Sequence, residues 1–179
     1  MSRRRDRTSL TALRKRAVAN ALLCGVSLPT DAFVFSPEAD GSVAWKFSYW
    51  FSWIESTPAL RDGFIYIGAS DYRRVTVLNP ATGKTKWATE VRGMNWGTPL
   101  VTDDRVFTGT ASQNIPGTAI SHTGGIMALD RATGAVLWQL LAPLAPENGF
   151  GGYAGSLALA GDKVIAAGFD GNLVALPAR

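Results

Sequence analysis

Residues 128–138 have the sequence ALDRATGAVLW, and residues 77–87 have the related sequence VLNPATGKTKW. The two segments align without a gap and share a Leu, an Ala-Thr-Gly triplet and a Trp. A looser copy, FSPEADGSVAW, occupies residues 35–45, and a shorter trace, VAL, occupies residues 174–176. Because the first three copies end in Trp at intervals of 42 and 51 residues, the chain contains a repeated supersecondary unit.

A second pattern, typical of a β-hairpin, precedes the last three copies. Residues 57–68, 98–109 and 156–168 each contain two short apolar runs separated by a tight polar or glycine-containing turn. Each complete unit therefore has four strands, A to D, and strand D carries the Trp. Four strands within a repeat of 42 to 51 residues are typical of a propeller blade. The sequence predicts an all-β fold, an incomplete β-propeller of about three four-stranded antiparallel blades.

The repeat divides the chain into a leader and a partial propeller. We expect residues 1–32 to be a basic leader and residues 33–179 to form the propeller. Because a closed ring needs about four blades, these units do not close a ring by themselves. The predicted units are strand D at 43–47, a blade at 56–91, a blade at 97–141 and an incomplete blade at 154–177.

Three explanations for the missing blades stay open. The chain is a fragment of a longer propeller, an open segment that pairs with a partner, or a segment that self-assembles with its own copies to complete a ring. We favour the fragment, because the repeat begins abruptly at strand D and the leader does not blend into it.

The leader has the order of a secretory signal peptide. Residues 3–16 contain seven Arg or Lys and one Asp, residues 17–28 are mostly apolar, and a cleavage site follows at Ala32. This order predicts a periplasmic or exported protein, and a disordered leader is the alternative. The apolar run is too short for a transmembrane span. Residues 1–16 carry a charge of +6 and the rest of the chain carries −2, which together give the net charge of +4. We therefore expect no basic surface for nucleic acid on the folded part.

The repeat resembles the PQQ-type propeller repeat, whose core pattern is A-L-D-x-x-T-G-x-x-x-W. The pattern is almost intact at residues 128–138 and well preserved at 77–87, and the resemblance covers residues 33–179. It implies a fold like that of the quinoprotein alcohol dehydrogenases. The same repeat also builds non-catalytic exported scaffolds, one of them a lipoprotein of the outer-membrane protein assembly machine, so the motif says little about activity.

The conserved positions of the pattern have a structural explanation. The glycine of each Thr-Gly pair adopts a positive φ in the turn between strands C and D. The large indole fills the wedge between adjacent blades. We therefore predict that Trp45, Trp87, Trp138, Gly83 and Gly134 are structural blade anchors.

One edge of the propeller is the candidate binding surface. The connections between strands D and A and between strands B and C lie on the same edge, which we call the loop rim, and long loops on a rigid scaffold often carry function. We expect a protein or small ligand to bind there, although the same side chains also suit a purely structural role as caps of the blades. The candidate residues are Trp50, Trp53, Glu55, Asp71, Arg73, Asn95, Trp96, His122, Asn148, Phe150 and Tyr153.

Two functions from different classes follow. The first is a non-catalytic scaffold for protein or ligand interaction. The second is a fragment of a PQQ-dependent alcohol or sugar dehydrogenase, which needs Ca²⁺ bound by carboxylate and amide oxygens beside the quinone. The rim acids have no metal-like spacing, so we predict no catalytic residue, metal site or cofactor for this chain alone. PQQ with Ca²⁺ is expected only in a complete parent propeller.

Overall fold

The computed structural model describes residues 23–27, 31–37, 42–50, 52–118 and 121–179, with the backbone alone for 23–37 and Trp50. The described residues form strands and turns without a helix. The strands are β1 (Leu23–Ser27), β2 (Asp31–Pro37), β3 (Val43–Trp50), β4 (Ala59–Arg61), β5 (Phe64–Ala69), β6 (Arg74–Leu78), β7 (Thr85–Glu90), β8 (Leu100–Val101), β9 (Arg105–Asn114), β10 (Gly125–Asp130), β11 (Val136–Leu141), β12 (Gly149–Gly152), β13 (Ala158–Ala160), β14 (Lys163–Ala167) and β15 (Leu173–Pro177).

The strands assemble into four antiparallel sheets, which confirms the prediction of an all-β, incomplete propeller. Blade 1 contains β1–β3, blade 2 contains β4–β7, blade 3 contains β8–β11, and blade 4 contains β13–β15. Blades 2 and 3 are complete four-stranded meanders. Blades 1 and 4 have three strands each in the part of the chain that the structure describes.

Blade 1 begins earlier than the repeat pattern alone indicated. The strand at Leu23–Ser27 pairs with Asp31–Pro37, which in turn pairs with β3. This first strand lies within residues 1–32, where we expected a leader. Residues 1–22, including the basic segment, lie outside the described residues.

The turn between strands C and D is stabilised by a side chain at its first position. In blade 3 the Asp130 carboxylate accepts hydrogen bonds from the Thr133 N–H at 2.8 Å, the Thr133 hydroxyl at 2.7 Å and the Ala132 N–H at 3.1 Å. In blade 2 the Asn79 side-chain oxygen accepts from the Ala81 N–H at 2.9 Å. Asn and Asp are favoured in turns because they make this bond to their own backbone.

These hydrogen bonds make stability depend on pH through Asp130. The donors at Thr133 hold the pKa of the Asp130 carboxyl below its usual 3.8. The ionised form therefore stabilises the fold above about pH 3.8, and this contribution is lost as the pH falls through the lower folded-state pKa.

Replacing Asp130 with Asn tests this assignment. We expect the melting temperature of Asp130→Asn to lie below that of the wild type at pH 7 and to converge with it near pH 2.5, because only the wild type loses an ionised acceptor. Thermal unfolding by circular dichroism from pH 2.5 to 7 measures both curves. The reciprocal variant Asn79→Asp should show the opposite trend, and parallel curves for all three proteins would contradict the prediction.

The Trp residues of blades 1 and 2 pack on the C–D turn of the following blade. The Trp45 indole N–H donates to the Pro80 carbonyl at 2.8 Å, and the Trp87 indole N–H donates to the Arg131 carbonyl at 3.0 Å. Each indole also lies flat against the turn glycine. A Cβ added at Gly83 or Gly134 would come within 2.7 Å of the indole, so only glycine fits.

Alternate residues of each strand form the cores between blades. Between blades 2 and 3 the buried core includes Tyr66, Val77, Trp87, Val106 and Leu129. Tyr66, Val77 and Trp87 are direct cross-strand neighbours, so they occupy one row of one sheet face. The corresponding core between blades 3 and 4 includes Phe107, Ile126, Ala128, Val164 and Ala166.

The edge opposite the loop rim carries ion pairs between blades 2 and 3. The Arg131 side chain pairs with Asp62, and the Arg61 side chain pairs with Asp103. The acidic partners are largely exposed, so water and salt weaken the attraction. These pairs therefore contribute little to the free energy of unfolding, and their main effect is to hold the neighbouring turns in position.

Candidate interaction site on the loop rim

The loop rim contains more strand structure than expected. In blade 3 the connection between strands B and C is not entirely loop, because β9 continues to Asn114 and pairs there with β12, in the connection between blades 3 and 4. Gln113 also forms a β-bridge with His122. This extension of blade 3 holds the connection at 149–152 in place and gives the rim a rigid backbone.

Three aromatic side chains form a cluster on this backbone. Trp96 contacts the edges of Phe150 and Phe169, with ring centroids 5.4 Å and 6.4 Å apart. The Phe150 and Phe169 rings are stacked at 6.3 Å. Phe150 is 43% exposed and Phe169 is 50% exposed. We call these three residues the aromatic cluster; they come from three different connections of the rim.

An apolar pocket of about 160 Å³ lies next to the aromatic cluster. Its walls are formed by residues 142–146, Phe150, Phe169 and the buried Tyr153, with Asp170 at its margin. The segment at 142–146 has the sequence APLAP and is held in place by a hydrogen bond of 2.9 Å from the Asn114 amide to the Ala145 carbonyl. The pocket and the exposed rings form one continuous apolar surface.

The Trp96 indole is connected to an acidic residue through Ser70. The Trp96 indole N–H donates to the Ser70 hydroxyl at 2.8 Å, and Ser70 also contacts Glu55. Partial burial raises the pKa of the Glu55 carboxyl; the hydrogen bond with Ser70 lowers it, and the charge of Asp71 raises it further. The charges of Glu55 and Asp71 thus act on each other, and a positive charge near this pair would be favoured.

Two predicted rim residues have buried side chains. Asn95 and Tyr153 occupy the same position in successive connections, three residues before the strand A segments that begin at residues 98 and 156. In blade 2 the buried Ile54 has the corresponding position. The Asn95 amide donates to the Thr108 hydroxyl, while its oxygen packs against Gly68 and accepts no hydrogen bond from the described residues. These two side chains therefore support the rim from within.

The remaining predicted residues are spread around the rim. Trp53 is 60% exposed, and the side chain of Trp50 lies outside the described residues. Asn148 adopts a left-handed backbone conformation with φ of 55°, and its N–H donates to the Asn114 carbonyl. Arg73 and His122 lie apart from the aromatic cluster, in a polar groove between the outer strands of blades 2 and 3.

Phe169 is the residue of the aromatic cluster that the sequence did not indicate. It follows strand B of the incomplete blade and lies between Gly168 and Asp170 in a short turn. The Phe169 N–H donates to the Gly152 carbonyl at 3.0 Å, which brings its ring beside Phe150. The only sequence signal was a large aromatic residue in a short turn, where side chains are usually exposed.

We expected PQQ with Ca²⁺ only in a complete parent propeller. No three His, Cys, Asp or Glu side chains within the described ranges lie close enough together to hold a metal ion. A Ca²⁺ site needs six to eight oxygen ligands around one point. The absence of a cofactor from this chain alone stays a prediction. The described residues also contain no helix long and apolar enough to cross a bilayer.

Comparisons with known proteins identify relatives of the repeat. A family model described as outer membrane protein assembly factor BamB matches residues 34–179. No protein in the curated set matches the chain significantly.

The solved structures that are similar to this chain include quinoprotein enzymes. A quinohemoprotein alcohol dehydrogenase from Pseudomonas putida superposes with a TM-score of 0.59 at 20% identity, over 76% of this chain and 25% of that one. One from Comamonas testosteroni gives 0.56 at 19% identity, over 80% and 28%. A europium-containing methanol dehydrogenase gives 0.51 at 18% identity, over 71% and 24%. The chain spans about a quarter of these enzymes, and at such identities the likeness shows the propeller fold alone.

Proposed function

Because the chain belongs to the family of the outer membrane protein assembly factor BamB, we propose that it is a non-catalytic propeller segment that acts as an interaction scaffold. The proposed binding surface for a protein or ligand is the loop rim. We include in the proposal that the segment belongs to a longer propeller and works in the periplasm or another exported compartment. The name of the matched family, which refers to the assembly of outer membrane proteins, supports that location.

The exposed aromatic cluster is the observation that carries the proposal. Phe150 and Phe169 present about half of their surface to solvent although apolar side chains are abundant in the cores between the blades. A contiguous exposed apolar patch with a polar margin is typical of a binding site. Aromatic residues dominate the binding energy of many protein interfaces because they bury a large area at a small entropic cost.

The surroundings of the cluster indicate the chemistry of the partner. On one side the pocket of about 160 Å³ has room for an apolar side chain. On the other side Glu55 and Asp71 provide negative charge. The arrangement favours a peptide segment with an aromatic or aliphatic residue followed by Lys or Arg.

Removing both phenylalanines should abolish most of the binding at the rim. Peptides selected from a random phage-displayed library on the immobilised chain provide the probe. We expect the double variant Phe150→Ala/Phe169→Ala to bind the selected peptides at least about tenfold more weakly, since interface aromatics commonly contribute more than about 1 kcal/mol each. Fluorescence anisotropy with the labelled peptides measures the dissociation constants.

A matched control is available on the opposite edge. Leu159 is 49% exposed and lies beside the turn between strands A and B, so Leu159→Ala should leave the peptide affinity unchanged. Equal loss in both variants, or none in the double variant, would count against the rim. Oxidation of an alcohol by the chain supplied with PQQ, Ca²⁺ and a dye acceptor would instead support the dehydrogenase alternative.

A further inference from the structure

The polar groove between the outer strands of blades 2 and 3 is a cavity that lies apart from the aromatic cluster. Its volume is about 610 Å³, and its charged lining includes Arg73, Glu90 and Arg92. Arg73 precedes β6, Glu90 ends β7 and Arg92 follows it. The groove thus has an excess of positive charge, although residues 17–179 together carry a net charge of −2. Such a local excess favours an anionic ligand.

The backbone that carries the two arginines is fixed by hydrogen bonds. The Val91 N–H donates to the Arg73 carbonyl at 2.8 Å, so the end of β7 is attached to the residue that precedes β6. Arg92 follows at once, and the chain is then attached to β9 by two hydrogen bonds between Met94 and Ala111, at 3.2 Å and 2.8 Å. Because this backbone is already ordered, a ligand in the groove meets a small entropic cost.

Both guanidinium groups keep most of their donors. The Arg92 Nε–H donates to the Gln139 side-chain oxygen at 3.4 Å, a long bond, and the Arg73 Nη2 lies 4.0 Å from the Glu90 carboxylate, beyond hydrogen-bonding distance. Among the described residues the two groups have no other hydrogen-bond or ion-pair partner. Since a guanidinium presents several N–H groups in a planar fork that matches a carboxylate, both can bind one.

Arg73 has a backbone conformation that favours glycine. Its φ is 43°, and the left-handed region costs free energy for a residue with a Cβ. Blade 4 contains the equivalent turn: the Gly171 N–H donates to the Gly168 carbonyl, as the Arg73 N–H donates to the Ser70 carbonyl, and the φ of Gly171 is 81°. Blade 4 thus has a glycine where blade 2 has a strained arginine. Strain of this kind is typical of residues with a functional role.

The groove also has an apolar part. Val91 and Met127 are buried in its lining, and Val136 is exposed there. A lone inorganic anion leaves this apolar surface unused, whereas a peptide contacts it with its apolar side chains. The Glu90 side chain is 72% exposed, so water and salt weaken its repulsion of an acidic ligand.

We propose that the polar groove binds an acidic peptide segment of a partner protein. Asp or Glu side chains of the segment pair with Arg73 and Arg92 through charge-assisted hydrogen bonds, and an adjacent apolar side chain of the segment packs against Val91 and Val136. The groove uses residues outside the aromatic cluster and binds the opposite charge from the partner proposed for the rim. The inference therefore does not rest on the function proposed above.

Two capped peptides that differ only in charge provide the probe. Their sequences are AEVEVEA and AQVQVQA, and each is titrated into the isotope-labelled full chain. Two-dimensional NMR follows the Nε–H signals of Arg73, Arg74 and Arg92 and gives the dissociation constants. We expect the glutamate peptide to bind at least about tenfold more tightly than the glutamine peptide. It should shift the signals of Arg73 and Arg92 and leave that of Arg74 in place.

Neighbouring arginines form a matched pair of variants. Arg73→Gln and Arg74→Gln remove the same charge one residue apart, but Arg74 lies over the Tyr72 ring at 4.4 Å and does not line the groove. We expect Arg73→Gln to weaken binding of the glutamate peptide at least about fivefold and Arg74→Gln to weaken it less than about twofold. Equal losses in the two variants would show attraction by overall charge alone and would overturn the proposal.

The variant Arg73→Gly separates binding from folding. It should weaken binding as much as Arg73→Gln does, while its melting temperature stays equal to that of the wild type or rises, because glycine relieves the unfavourable φ. A fall in melting temperature would show that the arginine serves the fold and would overturn the proposal. Equal affinity for the two peptides, or no binding of either, would also overturn it. Inorganic phosphate that shifts the same signals and binds as tightly as the glutamate peptide would overturn it in favour of a site for small anions.

Discussion

Replacing Trp87 with Ala is expected to lower the free energy of unfolding by about 3–5 kcal/mol, the usual cost of removing a large buried aromatic side chain. Trp87 is 8% exposed, contacts the edge of Tyr66 at 6.3 Å and lies in the core between blades 2 and 3. Its removal leaves a cavity and also leaves the Arg131 carbonyl without its indole donor. Urea unfolding followed by circular dichroism measures the loss.

The chain contains an exposed indole as a matched control. Trp53 is 60% exposed on the loop rim, so Trp53→Ala should change the free energy of unfolding by less than about 0.5 kcal/mol, as is usual for surface substitutions. A similar loss in both variants would mean that size of the side chain, and not its place between the blades, sets the effect. Retention of full stability by Trp87→Ala would refute the role of this indole in joining the blades.

The architecture of the chain was predictable because one local pattern determines each blade. Alternation of apolar residues, the Asn or Asp that begins a turn and the Thr-Gly pair act over a few residues, so they are visible in the sequence. Recurrence of that pattern then places the blades side by side without any knowledge of distant contacts. The confirmed all-β, incomplete propeller rests on these local signals.

Structure that depends on distant pairing was not predictable. The strand at Gly149–Gly152 has the sequence GFGG, which has low strand propensity. It forms a strand because β9 extends beyond its blade and offers an edge 35 residues earlier, at Asn114. The pairing of Leu23–Ser27 with β2 is similar, since its small apolar residues suit a strand and a leader equally well.

The candidate site was predictable only in its general location. Strand alternation brings Trp96 and Phe150 to one edge, and the structure places them in contact. Whether an individual side chain is buried depends on how the neighbouring connections pack. Asn95 is therefore buried, whereas the adjacent Trp96 is only partly buried. Phe169 joins the cluster through a backbone hydrogen bond to Gly152, a contact that no local pattern reveals.

Substitution of Gly134 with Ala should cost about 2–5 kcal/mol, from two separable causes. The φ of Gly134 is 79°, where a Cβ costs about 1–2 kcal/mol. The added Cβ would also lie 2.6 Å from both the Trp87 indole and the Thr89 hydroxyl oxygen, and overpacking of this kind costs about 1–3 kcal/mol. Gly161 isolates the first cause, because its φ is 59° and an added Cβ meets nothing within 4 Å.

A double-mutant cycle separates the second cause. If the overlap with Trp87 is responsible, Ala at position 134 should cost less in the Trp87→Ala background than in the wild type, by about 1–3 kcal/mol, the range for residues in direct contact. Urea unfolding of the wild type, both single variants and the double variant measures this coupling energy. Gly161→Ala should show no coupling to Trp87→Ala. If the costs of Gly134→Ala and Trp87→Ala are additive, the turn conformation alone requires glycine at position 134. The packing of the indole on the turn would then not be a reason for glycine at this position.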